Sequence, residues 1–337
     1  MIRNSYTSPD TQYDTTLVVD DAYVASLPDL QDGDFKGARV AIPHVGIHRF
    51  RVPLTIARRD GGSQIVEASI TGTVSLESEK KGINMSRIIR TFYEHCNTNH
   101  GGTFTLKALE TVLQDIRKRS GELNAELLIK FSYPILQPAL RTQGLIGYQY
   151  YDVLFRLRVV GDEESSDSIY HAIEFDFVYS SACPCSYELA EHARAHRNQA
   201  TVSHSQRSVA RVQLKLDSNQ PHIWIEEIQE LCTDALHTET QVMVKRADEQ
   251  AFAELNGSYT KFVEDAARQL YHVFDAREDI YDFRIVCSHL ESLHSHDAIA
   301  VITKYATDQT FPDAFANSHD VPYMPDLSYH ELQSLVR

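Results

Sequence analysis

From Gln64 to Leu76 apolar and polar residues alternate with hardly a break. Val66, Ala68, Ile70, Gly72, Val74 and Leu76 share one side of an extended chain, and Glu67, Ser69, Thr71, Thr73 and Ser75 the other. A period of two predicts a half-buried antiparallel strand. Arg59-Asp60-Gly61-Gly62 is a turn signal, so this strand pairs back onto Arg39–Ala57. A helical period then takes over. One helix is predicted from Ser86 to Cys96, stopping at Asn97-Thr98-Asn99-His100-Gly101-Gly102. A second runs from Leu106 to Arg119, with Leu109, Val112, Leu113 and Ile116 on one face and Ser120-Gly121 as its stop. Strands resume at Glu126–Leu136 and Tyr148–Val160, which gives the order β-β-α-α-β-β.

Past the acidic stretch Gly161–Asp167 the same order returns. Strands are predicted at Ile169–Tyr179 and Thr201–Leu216, helices at Ile223–Leu236 and Lys261–Phe274, and closing strands at Phe283–Ser288 and Ala298–Tyr305. No sequence identity links the two copies, but the repeated order is that of a structural repeat. It places the chain in the α+β class, with antiparallel sheets carrying helices on one face. The division expected is an arm over 1–36, one unit over 37–161, a second over 168–306, and a tail over 307–337.

Composition narrows the function. A net charge of −15 over 337 residues argues against a nucleic-acid partner. No apolar run is long enough to span a bilayer, and the polar N-terminal stretch reads as neither a secretory signal nor a transit peptide. A soluble, cytoplasmic protein is expected. The cysteines number five, and only Cys183 and Cys185 lie close together. Such sparse use points to metal or catalytic chemistry before a disulfide framework.

The chemistry-bearing residues fall in short segments. Ser181-Ala182-Cys183-Pro184-Cys185-Ser186 closes an apolar strand, and proline cannot continue a ladder, so both thiols belong at a sheet rim. Thiolates bind borderline divalent ions well. His204, on a regular strand, shares a face with Val202, Ala210 and Val212 and points inward, where an imidazole needs a partner. His192 and His196 are nearer the cysteines and compete as ligands. Val244-Lys245-Arg246-Ala247-Asp248-Glu249 sets two cations before two carboxylates, a pattern also met on solvated faces. In Lys261–Arg268, Phe262, Val263, Ala266, Ala267 and Leu270 form a buried stripe, with Glu264 and Arg268 spaced as an i,i+4 pair. Alternatively, Glu264 at a helix start can accept N–H bonds from a guanine edge. Glu291-Ser292-Leu293-His294-Ser295-His296-Asp297 joins carboxylates to imidazoles, the usual make-up of a general acid–base pair near neutral pH. Lys80, Lys81 and Arg87 gather cations at a helix N-terminus, a place suited to anions.

Taken in order, these segments resemble the type IB GTP cyclohydrolases. The likeness starts at Leu27-Pro28-Asp29 and runs through Lys81-Gly82-Ile83-Asn84-Met85-Ser86-Arg87, Cys183-Pro184-Cys185-Ser186 and His204-Ser205-Gln206-Arg207-Ser208. It continues in Lys245–Glu249, Phe262-Val263-Glu264-Asp265 and Glu291–His296, so it covers about residues 27 to 305. The resemblance implies a tunnelling fold of tandem ββααββ modules, assembled as a homo-oligomer, a tetramer, with active sites at subunit interfaces. It implies GTP as substrate, opened hydrolytically to dihydroneopterin triphosphate and formate in the first step of folate and pterin biosynthesis. It further implies a divalent ion (zinc, manganese or iron) on Cys183, His204 and Glu249. Glu264 would anchor guanine, Glu291 and His294 would act with Cys183 in catalysis, and Lys81, Arg87, Lys245 and Arg246 would meet the triphosphate. The spacing from Cys-Pro-Cys to the histidine is longer here than in the family, and His192 and His196 fall in that insertion. Two other readings stand beside it. One is a nitrile reductase of the same superfamily, using a cysteine nucleophile and NADPH; the other is a non-catalytic purine- or pterin-binding protein with structural zinc.

Overall fold

The alternation that opens the sequence is realised as burial. In the computed structural model, which describes residues 15–28, 35–98, 103–161, 168–216 and 222–304, β2 (Ser63–Leu76) buries Val66, Ala68, Ile70, Val74 and Leu76 and turns Glu67 to solvent. It pairs antiparallel with β1 (Ile42–Ala57) across a turn in which Gly61 takes φ +81° and Arg58 donates its N–H to the Gly62 carbonyl. Gly72 has its own reason: a Cβ there would stand 2.9 Å from Ile88 Cγ2 of the overlying helix.

The elements follow in the order α1 (Asp21–Ser26), β1, β2, α2 (Met85–Thr98), α3 (Leu106–Ser120), β3 (Asn124–Pro138), β4 (Ile146–Val160), β5 (Ser168–Ala182), α4 (Pro184–Arg197), β6 (Ser205–Leu216), α5 (Ile225–Leu236), α6 (Arg246–Ser258), α7 (Val263–Asp275), β7 (Ile280–His289) and β8 (Ala298–Thr303). All eight strands form one sheet in sequential order, each antiparallel to the next. The chain is therefore α+β, as the pattern predicts. Three helices were not foreseen: the short α1 inside the expected arm, and α4 and α6 in the second half. The first fourteen residues, the acidic stretch from 162 to 167 and the tail from 307 lie outside the described residues.

One face of the sheet carries the core. Ile88 and Phe92 of α2, Leu109, Val112, Leu113 and Ile116 of α3, Ile228, Cys232 and Leu236 of α5, and Ala266, Leu270 and Phe274 of α7 bury against the inward residues of the strands in one continuous cluster. Helix ends obey their local chemistry. Thr105 caps α3 by accepting from the Ala108 N–H, and Gly121 closes it in the left-handed region at φ +70°.

The other face of β5 and β6 is polar but still buried. Glu174, Asp176, Arg211 and Gln213 stand on adjacent rungs of the ladder. Arg211 donates to both oxygens of Asp176, from Nε at 2.7 Å and Nη2 at 2.8 Å, and its Nε lies 3.1 Å from Glu174 Oε1. Gln213 Nε2 donates to the other Glu174 oxygen at 2.7 Å. Burial pushes the Asp176 carboxyl up despite the guanidinium beside it. Removing one partner of such a buried pair leaves an uncompensated charge. Arg211→Met is expected to lower stability by about 3–5 kcal/mol, read from urea unfolding. The double variant Arg211→Met/Asp176→Leu should recover part of that loss; a double variant no better than the single would show that the pair is not what holds these strands.

Candidate functional site

The candidate site lies where β5 and β6 run out. Their last paired rung is Ala182 opposite Ser205. The pairing geometry continues one step further, because the Cys183 N–H donates to the His204 carbonyl at 3.2 Å. Cys183, half-buried, is the N-cap residue of α4, and Pro184 is its first residue, where a missing N–H costs nothing. The Ser203 hydroxyl donates to the Cys183 carbonyl at 3.1 Å, and the His204 N–H donates to Ser186 Oγ at 3.2 Å. Cys183 and His204 are thus backbone neighbours across a pinned crossing. Cys185, one position into α4, is exposed.

The strand reading of Thr201–His204 needs correction. β6 begins at Ser205, Thr201–His204 precede the ladder, and Val202 is 88% exposed rather than inward. His204 nevertheless keeps the parity of the buried residues Gln206, Ser208 and Ala210. Its Nδ1 lies 3.2 Å from Gln206 Oε1 and 3.7 Å from Glu291 Oε2. Gln206 is itself held, since its Nε2 donates to Ser181 Oγ at 2.7 Å and Ser181 shares a 2.8 Å bond with Ser208. With Nδ1 engaged, Nε2 is the nitrogen left for a ligand, the arrangement usual for metal-binding histidines.

Glu291 reaches this crossing from the segment between β7 and β8, and Ser292 Oγ donates to the Ser205 carbonyl at 3.2 Å. His294 and His296 are exposed on the same loop, their rings stacked with centroids 4.9 Å apart. Glu291 therefore meets the His204 ring, while Cys183 meets His204 through the backbone. Other predicted residues stay apart within one chain. Glu249 is exposed on the first turn of α6, next to Lys245 and Arg246, and among the described residues no three His, Cys, Asp or Glu side chains gather as a metal cage. Glu264 is exposed on the first turn of α7. Arg268 pairs with Asp265 at 3.8 Å, so the i,i+4 pair with Glu264 is not the one made. Arg87 donates to the Arg119 carbonyl at the end of α3 and Lys80 to Glu122, while Lys81 is exposed.

Beneath the rim lies a network that sequence reasoning missed. The Lys261 N–H donates to the Ala182 carbonyl, and its buried ammonium donates to Thr238 Oγ1 at 2.9 Å and the Tyr259 carbonyl at 2.6 Å. Burial lowers this lysine to about 8. His289, at the end of β7, shares a 2.9 Å hydrogen bond with the Tyr179 hydroxyl; burial and the nearby Lys261 charge lower it to about 4. Only a lysine placed two residues before a helix, at the foot of a buried stripe, could have hinted at this.

The sequence profile of type I GTP cyclohydrolase folE2 matches residues 27–300. The chain belongs to that family. A GTP cyclohydrolase FolE2 of Cereibacter sphaeroides is 47% identical over 311 residues, covering 90% of this chain and 84% of the relative. That of Ruegeria pomeroyi is 48% identical over 310 residues, 91% and 82% of the two chains; that of Paracoccus denitrificans is 47% identical over 306 residues, 90% and 92%. Among solved structures, uricase from Arthrobacter globiformis covers 85% of this chain and 100% of its own, with 9% identity and a TM-score of 0.45.

In this folE2-type chain, Asp248 fixes the segment that carries Lys245, Arg246 and Glu249. The residue is fully buried. Its oxygens accept from the Thr142 hydroxyl, from the N–H groups of Arg141 and Thr142 in the β3–β4 turn, and from the Lys245 N–H at the start of α6. Those bonds, the Thr142 hydroxyl first, hold its carboxyl well below the usual carboxylate range. A depressed acid stabilises the fold above its unfolded value near 3.9 and loses that contribution as pH falls toward the folded one. Asp248→Asn is therefore expected to be less stable than the parent at pH 7, by a margin that shrinks at pH 3. Urea midpoints at the two pH values check this, and an unchanged margin would contradict it.

Proposed function

We propose that the chain is a GTP cyclohydrolase that opens the guanine imidazole ring of GTP by hydrolysis, giving dihydroneopterin triphosphate and formate at the entry to folate and pterin synthesis. Family membership over residues 27–300, the backbone bond between Cys183 and His204, and the approach of Glu291 to the His204 ring support this reading. Cys183, His204 and Glu249 would hold a divalent ion of the zinc, manganese or iron kind. The donor set fits: a thiol beside an imidazole whose Nδ1 is already engaged suits a borderline ion. Once bound, such an ion lowers the pKa of a water toward ~7.

The remaining work falls to the chain. Glu264, exposed on the first turn of α7, would accept two N–H bonds from the guanine edge and so fix the base. His294 donates a proton to the ring nitrogen as the C8–N bond opens. Glu291, within reach of His204, orients water and takes up a proton. Lys81, Arg87, Lys245 and Arg246 oppose the triphosphate within a chain of net charge −15.

The assembly is a homo-oligomer of tunnelling-fold chains, read as a tetramer of tandem ββααββ modules working in the cytoplasm. Two features support assembly. The eight-stranded sheet ends in β1 and β8, and β8 exposes Ile299 and Val301; open apolar edges invite pairing. Active sites at subunit interfaces would also account for a donor set left open among the described residues of one chain.

Purified protein reconstituted with metal and given GTP is expected to release one formate per GTP and to yield a product that fluoresces as a pterin after oxidation. Cys183→Ala should lose both bound metal and turnover; retention of both would sink the ligand role. Glu264→Gln should weaken GTP binding at least about tenfold, equivalent to ~1.4 kcal/mol. Gln206→Leu, which frees His204 Nδ1, should cost roughly 10–100-fold in metal affinity while the fold is kept.

A further inference from the structure

α4 carries ligand chemistry that the reaction does not use. From Cys185, the residues Glu188, His192 and His196 follow at steps of three, four and four positions. At 100° per residue these side chains fall within an arc of roughly 80°, and all four are exposed. The helix buries only Ala190 and Ala193. Its second half is pinned, because Thr201 Oγ1 donates to the Ala190 carbonyl and Arg194 bonds both Glu191 and the Thr201 carbonyl. The rings of His192 and His196 lie side by side, centroids 4.3 Å apart and planes tilted by 38°. Among the described residues no carboxylate or carbonyl is hydrogen-bonded to either ring.

Two imidazoles one turn apart on one helix face can share an ion, the same geometry that H-E-x-x-H helices use for zinc. Bond lengths near 2.0–2.1 Å require both rings on the same side of the helix, which is how they stand here. We propose that His192 and His196 form a second divalent-cation site on the outer face of α4, selective for borderline ions such as zinc, nickel or copper(II) over magnesium and calcium. Glu188, one turn before His192, adds a negative charge to the same stripe. The site is separate from the Cys183–His204 crossing, since His192 lies nine residues beyond Cys183, about 13 Å along the helix axis. It rests on α4 alone and stands whether or not the chain hydrolyses GTP.

The test uses full-length, untagged protein stripped of metal and titrated with zinc by equilibrium dialysis. The parent should bind zinc in two classes. His196→Ala places a good helix former at an exposed position, and should weaken the looser class roughly tenfold or more while keeping the tighter one. Retention on an immobilised nickel column should fall in parallel for His192→Ala and His196→Ala. Zinc stoichiometry, affinity and nickel retention unchanged in both variants would overturn the proposal. Cys183→Ser should remove the tighter class and spare the looser one. If that class survives Cys183→Ser, the Cys183 ligand assignment fails, and the α4 site is still decided by His196→Ala.

Discussion

The bond from the Cys183 amide to the His204 carbonyl does more than extend a ladder. β5 and β6 pair along eleven rungs, from Ala172 opposite Lys215 to Ala182 opposite Ser205. Beyond that point one chain turns into α4 and the other arrives from an irregular segment, so nothing in strand geometry alone would keep them together. This single amide bond, backed by Ser203 and Ser186, carries the rigidity of the sheet out to the two side chains proposed to share one ligand. Whatever holds the β5–β6 pair rigid therefore also fixes the site. The buried Arg211–Asp176–Glu174 cluster lies on the same two strands and locks their register by charge rather than by packing.

A second constraint comes from beneath. Lys261 joins the end of β5, the α5–α6 connection and the end of α6 through its amide and ammonium bonds. A lowering from 10.5 to about 8 corresponds to roughly 3 kcal/mol against the charged form. The unfolded chain keeps this proton to higher pH, so this residue makes folding more favourable as pH rises from about 8 toward 10.5. Two neutral acceptors offset part of the cost near neutrality. His289, neutral beside it, ends the strand from which Glu291 departs. The rim is thus held by polar contacts where a hydrophobic core would exclude the water that hydrolysis needs.

Much of the fold was legible in the sequence, and the misses have physical causes. β2 could be read residue by residue because its buried face is apolar and its other face is not. α3 and α7 showed themselves through the stripes Leu109–Ile116 and Val263–Leu270. By contrast, α4 buries only Ala190 and Ala193, and α6 only Ala251 and Asp248. A helix that hides two small residues has almost no apolar period to detect, and both were missed. Cys183, His204 and Glu291 stand out as candidates through their chemistry, but Gln206, which bonds His204, looked like part of a polar run. Asp248 was read within a charge run, although it is the most enclosed acid of that segment. Its partners, Arg141 and Thr142, lie more than a hundred residues away and could not be inferred from spacing.

The same geometry sorts the cations proposed for the triphosphate. Lys80 donates to Glu122 and the Gly121 carbonyl, and Arg87 donates to the Arg119 carbonyl at the close of α3. Their charges are partly spent on tying α2 and the segment before it to the end of α3. Lys81, Lys245 and Arg246 are exposed, and the last two sit at the start of a helix clamped by Asp248. At physiological salt a charge is screened beyond roughly 8 Å, so the overall −15 neither repels nor attracts a nucleotide already in the site. What counts is the local field. There Lys245 and Arg246, exposed at the start of α6, supply the positive charge that the proposed triphosphate contact requires.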